Sequence, residues 1–235
     1  MGTQKLEIMT RQEFPNAKVL RMDTDSVTKK NSVEDMVRKF SRGDADILIG
    51  TQMIVKGHDF SNVTLVGIMA ADTSLYVSHY NSAQRTFELL TQASGRAGRA
   101  GEGDAVIQTY NPENYAIAAA AAQDYERYYE NELSYRILGN YPPACFMMIV
   151  MFSGKKEDEL NKCAYDISTI IKEDIALINT VVIGPTAPTV YRVKDYYRKL
   201  LYIKNGNYDI LLEIQKIIER NIGFYKGVGA VYDFN

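Results

Sequence analysis

Cysteine is scarce in this chain: Cys145 and Cys163 are the only two among 235 residues. Two thiols are too few for a disulfide framework or a four-ligand zinc site. Both sit in apolar or helical surroundings, so they are expected to be buried and reduced. No apolar run approaches the roughly 20 residues that cross a bilayer, and no charged-then-apolar leader opens the sequence. A cytoplasmic location and no membrane partner are therefore expected. A strong charge of one sign is also lacking, since 27 Lys and Arg stand against 29 Asp and Glu, a net of −2 with a pI near 5.8. Any contact with a polyanion must come from a local patch. No Gly-x-x-x-x-Gly-Lys-[Ser/Thr] loop and no acidic strand end for magnesium occur, so the chain alone is not expected to hydrolyse a nucleotide. Its two histidines, His58 and His79, have no metal-spaced partner, and they read as packing or turn residues.

What is present is a chain with 46% hydrophobic residues, long enough for one large domain or two ordinary ones. The first part alternates short apolar strands with helices: strands at residues 18–22, 46–50, 63–70 and 105–109, helices at 33–41 and 82–97. That alternation predicts an α/β fold with a parallel sheet covered by helices. Asn111 and Pro112 read as the cap and first position of one long helix running from Glu113 to Leu138. Gly139 to Pro143 stops it, and the domain boundary is placed between residues 139 and 140. Beyond it the order is strand, helix, strand, strand, helix, strand, which predicts a smaller α+β domain of split βαβ type at 140–235.

Two segments carry chemistry. In Gln92-Ala-Ser-Gly-Arg-Ala-Gly-Arg99, Gln92, Arg96 and Arg99 recur at helical spacing and would share one face. A guanidinium stays charged and can bond two oxygens at once, which suits a polyphosphate. Gly95 and Gly98 would let another surface approach. The same pattern also fits a glycine-punctuated helix end whose arginines face water. Upstream, the run Ile47-Leu-Ile-Gly50 breaks into the polar turn Thr51-Gln-Met-Ile-Val-Lys-Gly-His-Asp-Phe60. Taken alone, Asp59 reads as a turn residue bonding its own backbone.

Together these segments resemble motifs V and VI of superfamily 2 helicases. The fuller wording, Asp46 to Gln52, Lys56 to Phe60, Arg85 to Gln92 and Ile107 to Pro112, resembles the bacterial replication-restart helicases within that superfamily. The resemblance implies a second RecA-like helicase lobe at 1–139, with ATP and Mg bound against a first lobe of a longer parent. It implies Arg99 as an arginine finger flanked by Arg96 and Gln92, with Gly57 and Asp59 beside the nucleotide. Thr51, Gln52 and Lys56 would face DNA. The implied activity is ATP-dependent 3′-to-5′ unwinding that recognises and remodels stalled forks and initiates primosome assembly. Another superfamily 2 enzyme, such as a branch-migration helicase, would explain the first half equally well. A non-catalytic module that binds DNA or protein is the reading from a different class. The family's zinc-binding cysteine cluster is not present here, so zinc is expected in the parent only.

Near the end, Tyr191-Arg-Val-Lys-Asp-Tyr-Tyr-Arg-Lys-Leu200 gathers four cations and three tyrosines. Such mixing suits phosphate contact with base stacking, or capture of an acidic peptide. The resemblance implies forked and single-stranded DNA, the acidic tail of single-stranded DNA-binding protein and other primosome proteins as partners. It assigns Arg192, Lys194 and Arg198 to that work. A solvated basic edge strand is the alternative.

Overall fold

A computed structural model describes residues 2–23, 30–54, 60, 62–77, 79–98, 102–174, 177 and 179–235, with the backbone alone at 30–32 and 53. It divides into two compact units, Met1–Glu132 and Leu133–Asn235.

The first unit is α/β. Helix α1 (Thr3–Glu13) leads to β1 (Val19–Met22), α2 (Lys30–Ser41) and β2 (Ile47–Gly50). Strands β1 and β2 pair in parallel from Val19 against Ile47 to Met22 against Gly50. Strand β3 (Leu65–Ile68), α3 (Ser82–Ser94) and β4 (Asp104–Ile107) follow, and β3 pairs in parallel with β4 from Leu65 against Asp104 to Ile68 against Ile107. Parallel pairing needs a crossover, and α2 and α3 supply it. The sheet expected from the sequence takes the form of these two parallel pairs among the described residues.

The expected single helix from Glu113 to Leu138 is two helices, α4 (Tyr115–Ala121) and α5 (Tyr125–Leu138). Asn114 caps α4, its side chain accepting from the Ala116 N–H at 3.0 Å, in place of the expected Asn111. At the other end Gln123 takes a left-handed φ of 54°. The Gln123 N–H bonds the Ala120 carbonyl at 3.2 Å and the Asp124 N–H bonds the Ala119 carbonyl at 2.9 Å. This is a Schellman ending, in which two orphan carbonyls are satisfied. Asp124 then caps α5, its carboxylate accepting from the Arg127 N–H at 3.0 Å. The alanine run has a packing reason: Ala116, Ala119 and Ala120 are fully buried with Phe87 and Leu90 of α3. Tyr128 stacks on Phe87, ring centroids 4.0 Å apart and planes at 10°.

The second unit contains β5 (Phe146–Gly154), α6 (Glu157–Glu173), β6 (Val181–Thr186), β7 (Arg192–Val193), β8 (Tyr196–Asn205), α7 (Tyr208–Ile222) and β9 (Val228–Phe234). The strand order is β6-β8-β5-β9, with antiparallel pairings, and the short β7 pairs with β8. Residues 160, 163, 164, 167 and 171 of α6 recur on one helical face, and they bury with Leu211, Ile214 and Ile218 of α7 against Val150, Phe152, Leu201 and Ile203. Burial pushes the Cys163 thiol up to about 12, so it stays protonated. Both cysteines are free and buried. Lys204 is buried in the sheet, where its ammonium donates to the Gly139 carbonyl at 3.0 Å and lies 3.3 Å from the Tyr141 ring centroid. No described helix is long and apolar enough to cross a membrane.

Candidate functional site

In open α/β sheets ligands bind outside the carboxyl ends of the strands. At that end of β2, Thr51 and Gln52 are both exposed, in a tight turn closed by the Ile54 N–H on the Thr51 carbonyl at 3.1 Å. Gly50 sets this geometry. A Cβ there would lie 2.4 Å from the Met22 carbonyl oxygen and 2.7 Å from Ile54 Cγ2, so no larger residue fits without backbone movement. The neighbouring end of β1 is held by charge: Arg21 pairs with Glu7 of α1 at 3.2 Å and with Asp23 at 3.4 Å. The Thr3 hydroxyl donates to Asp23, and Arg11 donates to the Val19 carbonyl at 2.8 Å. Sequence reasoning passed over this network, because Thr3, Glu7 and Arg11 lie on a helix that the strand-centred pattern did not include. Lys56, Gly57, His58 and Asp59 lie outside the described residues.

Helix α3 ends at Ser94, three residues before the expected Ala97. Gln92 is exposed on its last turn, whereas Arg96 is half-buried beyond it, where Arg96 and Ala97 N–H groups bond Ala93 and Ser94 carbonyls in a tighter turn. The predicted continuous helical face through Gln92 and Arg96 is therefore interrupted, and Arg99 lies outside the described residues. Gly98 has φ 72°, and its N–H bonds the Val63 carbonyl at 3.0 Å, tying the turn to the start of β3. The surface that approaches Gly98 is the chain's own: a Cβ on Gly103 would sit 2.3 Å from the Gly98 nitrogen. So Thr51 and Gln52 follow the carboxyl end of β2, while Gln92, Arg96 and Gly98 stand near the amino ends of β3 and β4.

A second clamp lies at the carboxyl ends of β3 and β4. Asp72 is buried and accepts from the Thr109 hydroxyl at 2.7 Å and the Tyr110 N–H at 2.9 Å. The Thr109 hydroxyl above all, with the Tyr110 N–H, holds the Asp72 carboxyl below its ordinary range. His79 is a turn residue packed beside Tyr80, ring centroids 5.0 Å apart.

The cations of the second unit do not share one surface. Arg192 pairs across the ladder with Tyr197 and lies 4.9 Å from its ring centroid, and both stand on the face that carries α6. On the same side the Tyr191 hydroxyl donates to Glu157 at 2.6 Å, and Lys199 lies 5.4 Å from the Tyr191 ring. Side chains alternate along a strand, so Arg198, one residue on from Tyr197, stands on the opposite face with Leu200 and Tyr202. Lys194 is exposed at the hairpin turn with φ 56°, its carbonyl accepting from Arg192 Nε at 3.1 Å. Among the described residues no three His, Cys, Asp or Glu side chains are grouped to hold a metal ion.

Residues 2–101 match the helicase conserved C-terminal domain. The replication restart protein PriA of Bacillus subtilis is 39% identical over 96% of this chain and 28% of its own length. The Synechocystis PriA is 37% identical over 92% of this chain and 26% of its own, and the Treponema pallidum PriA 32% over 99% and 35%. The chain thus spans about a third of these relatives or less. A designed protein, Foldit4, superposes on 39% of the chain at 11% identity with a TM-score of 0.33. The chain is a homologue of part of the replication restart protein PriA, and its residues 2–101 are a helicase conserved C-terminal domain.

Proposed function

We propose that the chain is the C-terminal part of an ATP-dependent 3′-to-5′ DNA helicase that recognises and remodels stalled forks and initiates primosome assembly. Residues 1–139 form its second RecA-like lobe, and residues 140–235 a split βαβ domain, a reading supported by the β5-α6-β6-β8-α7-β9 order. The observation that carries the proposal is the exposed Thr51–Gln52 turn at the carboxyl end of β2, fixed by Gly50 against Met22, within a segment homologous to PriA.

Thr51, Gln52 and Lys56 hold the DNA backbone. Gly57 and Asp59 lie beside the nucleotide, and Arg99, with Arg96 and Gln92, reaches the phosphates from across the lobe boundary. The chain has no P-loop, so MgATP is held by the other lobe of the parent, this chain alone is inactive, and any zinc belongs to the parent. The second unit recruits forked DNA, primosome proteins and the acidic tail of single-stranded DNA-binding protein in the bacterial cytoplasm, at the nucleoid. Because Arg192 and Arg198 stand on opposite sheet faces, a ligand lying flat on one face meets only one of them.

The test is Arg99→Ala and Arg96→Ala in the full-length parent. DNA-stimulated ATP hydrolysis is expected to fall by about three powers of ten for Arg99→Ala, with DNA binding retained. Normal turnover in both variants would refute the assignment.

A further inference from the structure

The arginines of Gln92–Arg99 are only as well placed as the turn that carries them, and that turn is fastened beside the start of β3. The Gly98 N–H bonds the Val63 carbonyl at 3.0 Å, and the Asp104 N–H bonds the next carbonyl, that of Thr64, at 2.8 Å. Two neighbouring acceptors thus hold both ends of the stretch from Gly98 to Asp104. Gly103 lies against the same point. A Cβ on it would stand 2.3 Å from the Gly98 nitrogen, 2.6 Å from the Gly98 Cα and 2.9 Å from the Ala97 carbonyl carbon. All three atoms are backbone, so none can turn aside. Gly103 does not take a left-handed φ, so its own conformation makes no demand for glycine, and only the contact forbids a side chain.

We propose that Gly103 is a positioning residue for Arg99, holding Gly98 in place by leaving room for it. The inference rests on the helicase reading, which assigns Arg99 to the phosphates, and deepens it. Arg99 follows Gly98 directly in the chain. Ordinary van der Waals contact begins at 3.4 Å, so a methyl group at 103 stands about 1 Å too close to the Gly98 nitrogen. Gly98 must move by about that much, and its bond to Val63 is strained or lost. A reacting group misplaced by about 1 Å can lose on the order of 10²-fold in rate. An arginine at this turn meets charge that develops on the transferring phosphate, so the loss falls on the transition state and not on ground-state binding.

The experiment is Gly103→Ala in the full-length parent, alone and combined with Arg99→Ala. It is read by DNA-stimulated ATP hydrolysis and by binding of ADP, with and without aluminium fluoride, which mimics the transferring phosphoryl group. Turnover of Gly103→Ala is expected to fall by about 10²-fold, and affinity for the fluoride complex by a similar factor. Affinity for ADP and for DNA, and the number of ADP sites per chain, should match the wild type. Added to Arg99→Ala, the second change should lower turnover no further, because both act through one group. Asp104→Pro removes the bond to Thr64 without adding bulk at Gly98. It replaces the alanine variant if that one does not fold, and should show the same selective loss of the fluoride complex. Wild-type turnover in Gly103→Ala, or in Asp104→Pro standing in for it, beside a large loss in Arg99→Ala would overturn this inference and leave the helicase reading standing. So would a loss that adds in full to that of Arg99→Ala, or one that appears only as fewer ADP sites. Normal turnover in Arg99→Ala strikes the helicase reading itself, and this inference with it.

Discussion

Asp72 shows how one buried carboxylate can hold two strand ends together. Its hydrogen bonds favour the charged form, so its folded pKa lies below the unfolded value of 3.8. The stabilisation is therefore fully present above pH 3.8 and is lost as pH falls through the lowered folded value. Replacing Asp72 with Asn should remove that component, so acid unfolding of the variant becomes less steep with pH below about 4; urea titrations at a series of pH values would check this. Nothing in the sequence signals Asp72, since its partners Thr109 and Tyr110 lie more than thirty residues away. Gly50 differs: the break from an apolar run to a polar turn was readable, although the Met22 carbonyl that forbids a side chain there was not.

Among the elements, the break between α4 and α5 has a measurable cost. Gln123 sits in the left-handed region, where glycine escapes the strain of a Cβ. Gln123→Gly should raise stability by about 0.5–1 kcal/mol, and Asp124→Ala should lower it by about 0.5–2 kcal/mol through loss of the cap; thermal or urea unfolding of the two variants gives both signs. Helical periodicity could not reveal this break, because alanine and tyrosine continue across it without glycine or proline. Apart from helix α1 and the two-residue strand β7, which the sequence reading did not include, the strand and helix order was legible, since period-2 and period-3.6 burial is written directly in β5, α6, β8 and α7. Strand pairing was not, which is why Arg192 and Arg198, neighbours in the sequence pattern, part onto opposite faces.

For the whole molecule, a net charge of −2 gives little general attraction to DNA. Binding of a DNA fork should therefore rest on few phosphates and have a shallow salt dependence, with a slope of log K against log salt of roughly −0.9 per phosphate met. If the face bearing Arg198 meets DNA, Arg198→Ala reduces the slope by about one and Arg192→Ala leaves it unchanged; anisotropy titrations across a salt series distinguish the two. The sequence drew attention to Gln92–Arg99 because guanidinium groups suit phosphate chemistry, but which backbone groups of β9 point outward emerged only from the register that places Asn235 against Met147.

The stacked pair of Phe87 and Tyr128 also makes the first unit optically addressable. The chain contains 17 tyrosines and no tryptophan, so its native emission averages both units. Phe87→Trp would introduce the sole indole into the buried contact between α3 and α5, 4.0 Å from the ring it stacks on. Its fluorescence would report on that unit alone, while the rest of the chain stayed dark at the indole's excitation edge.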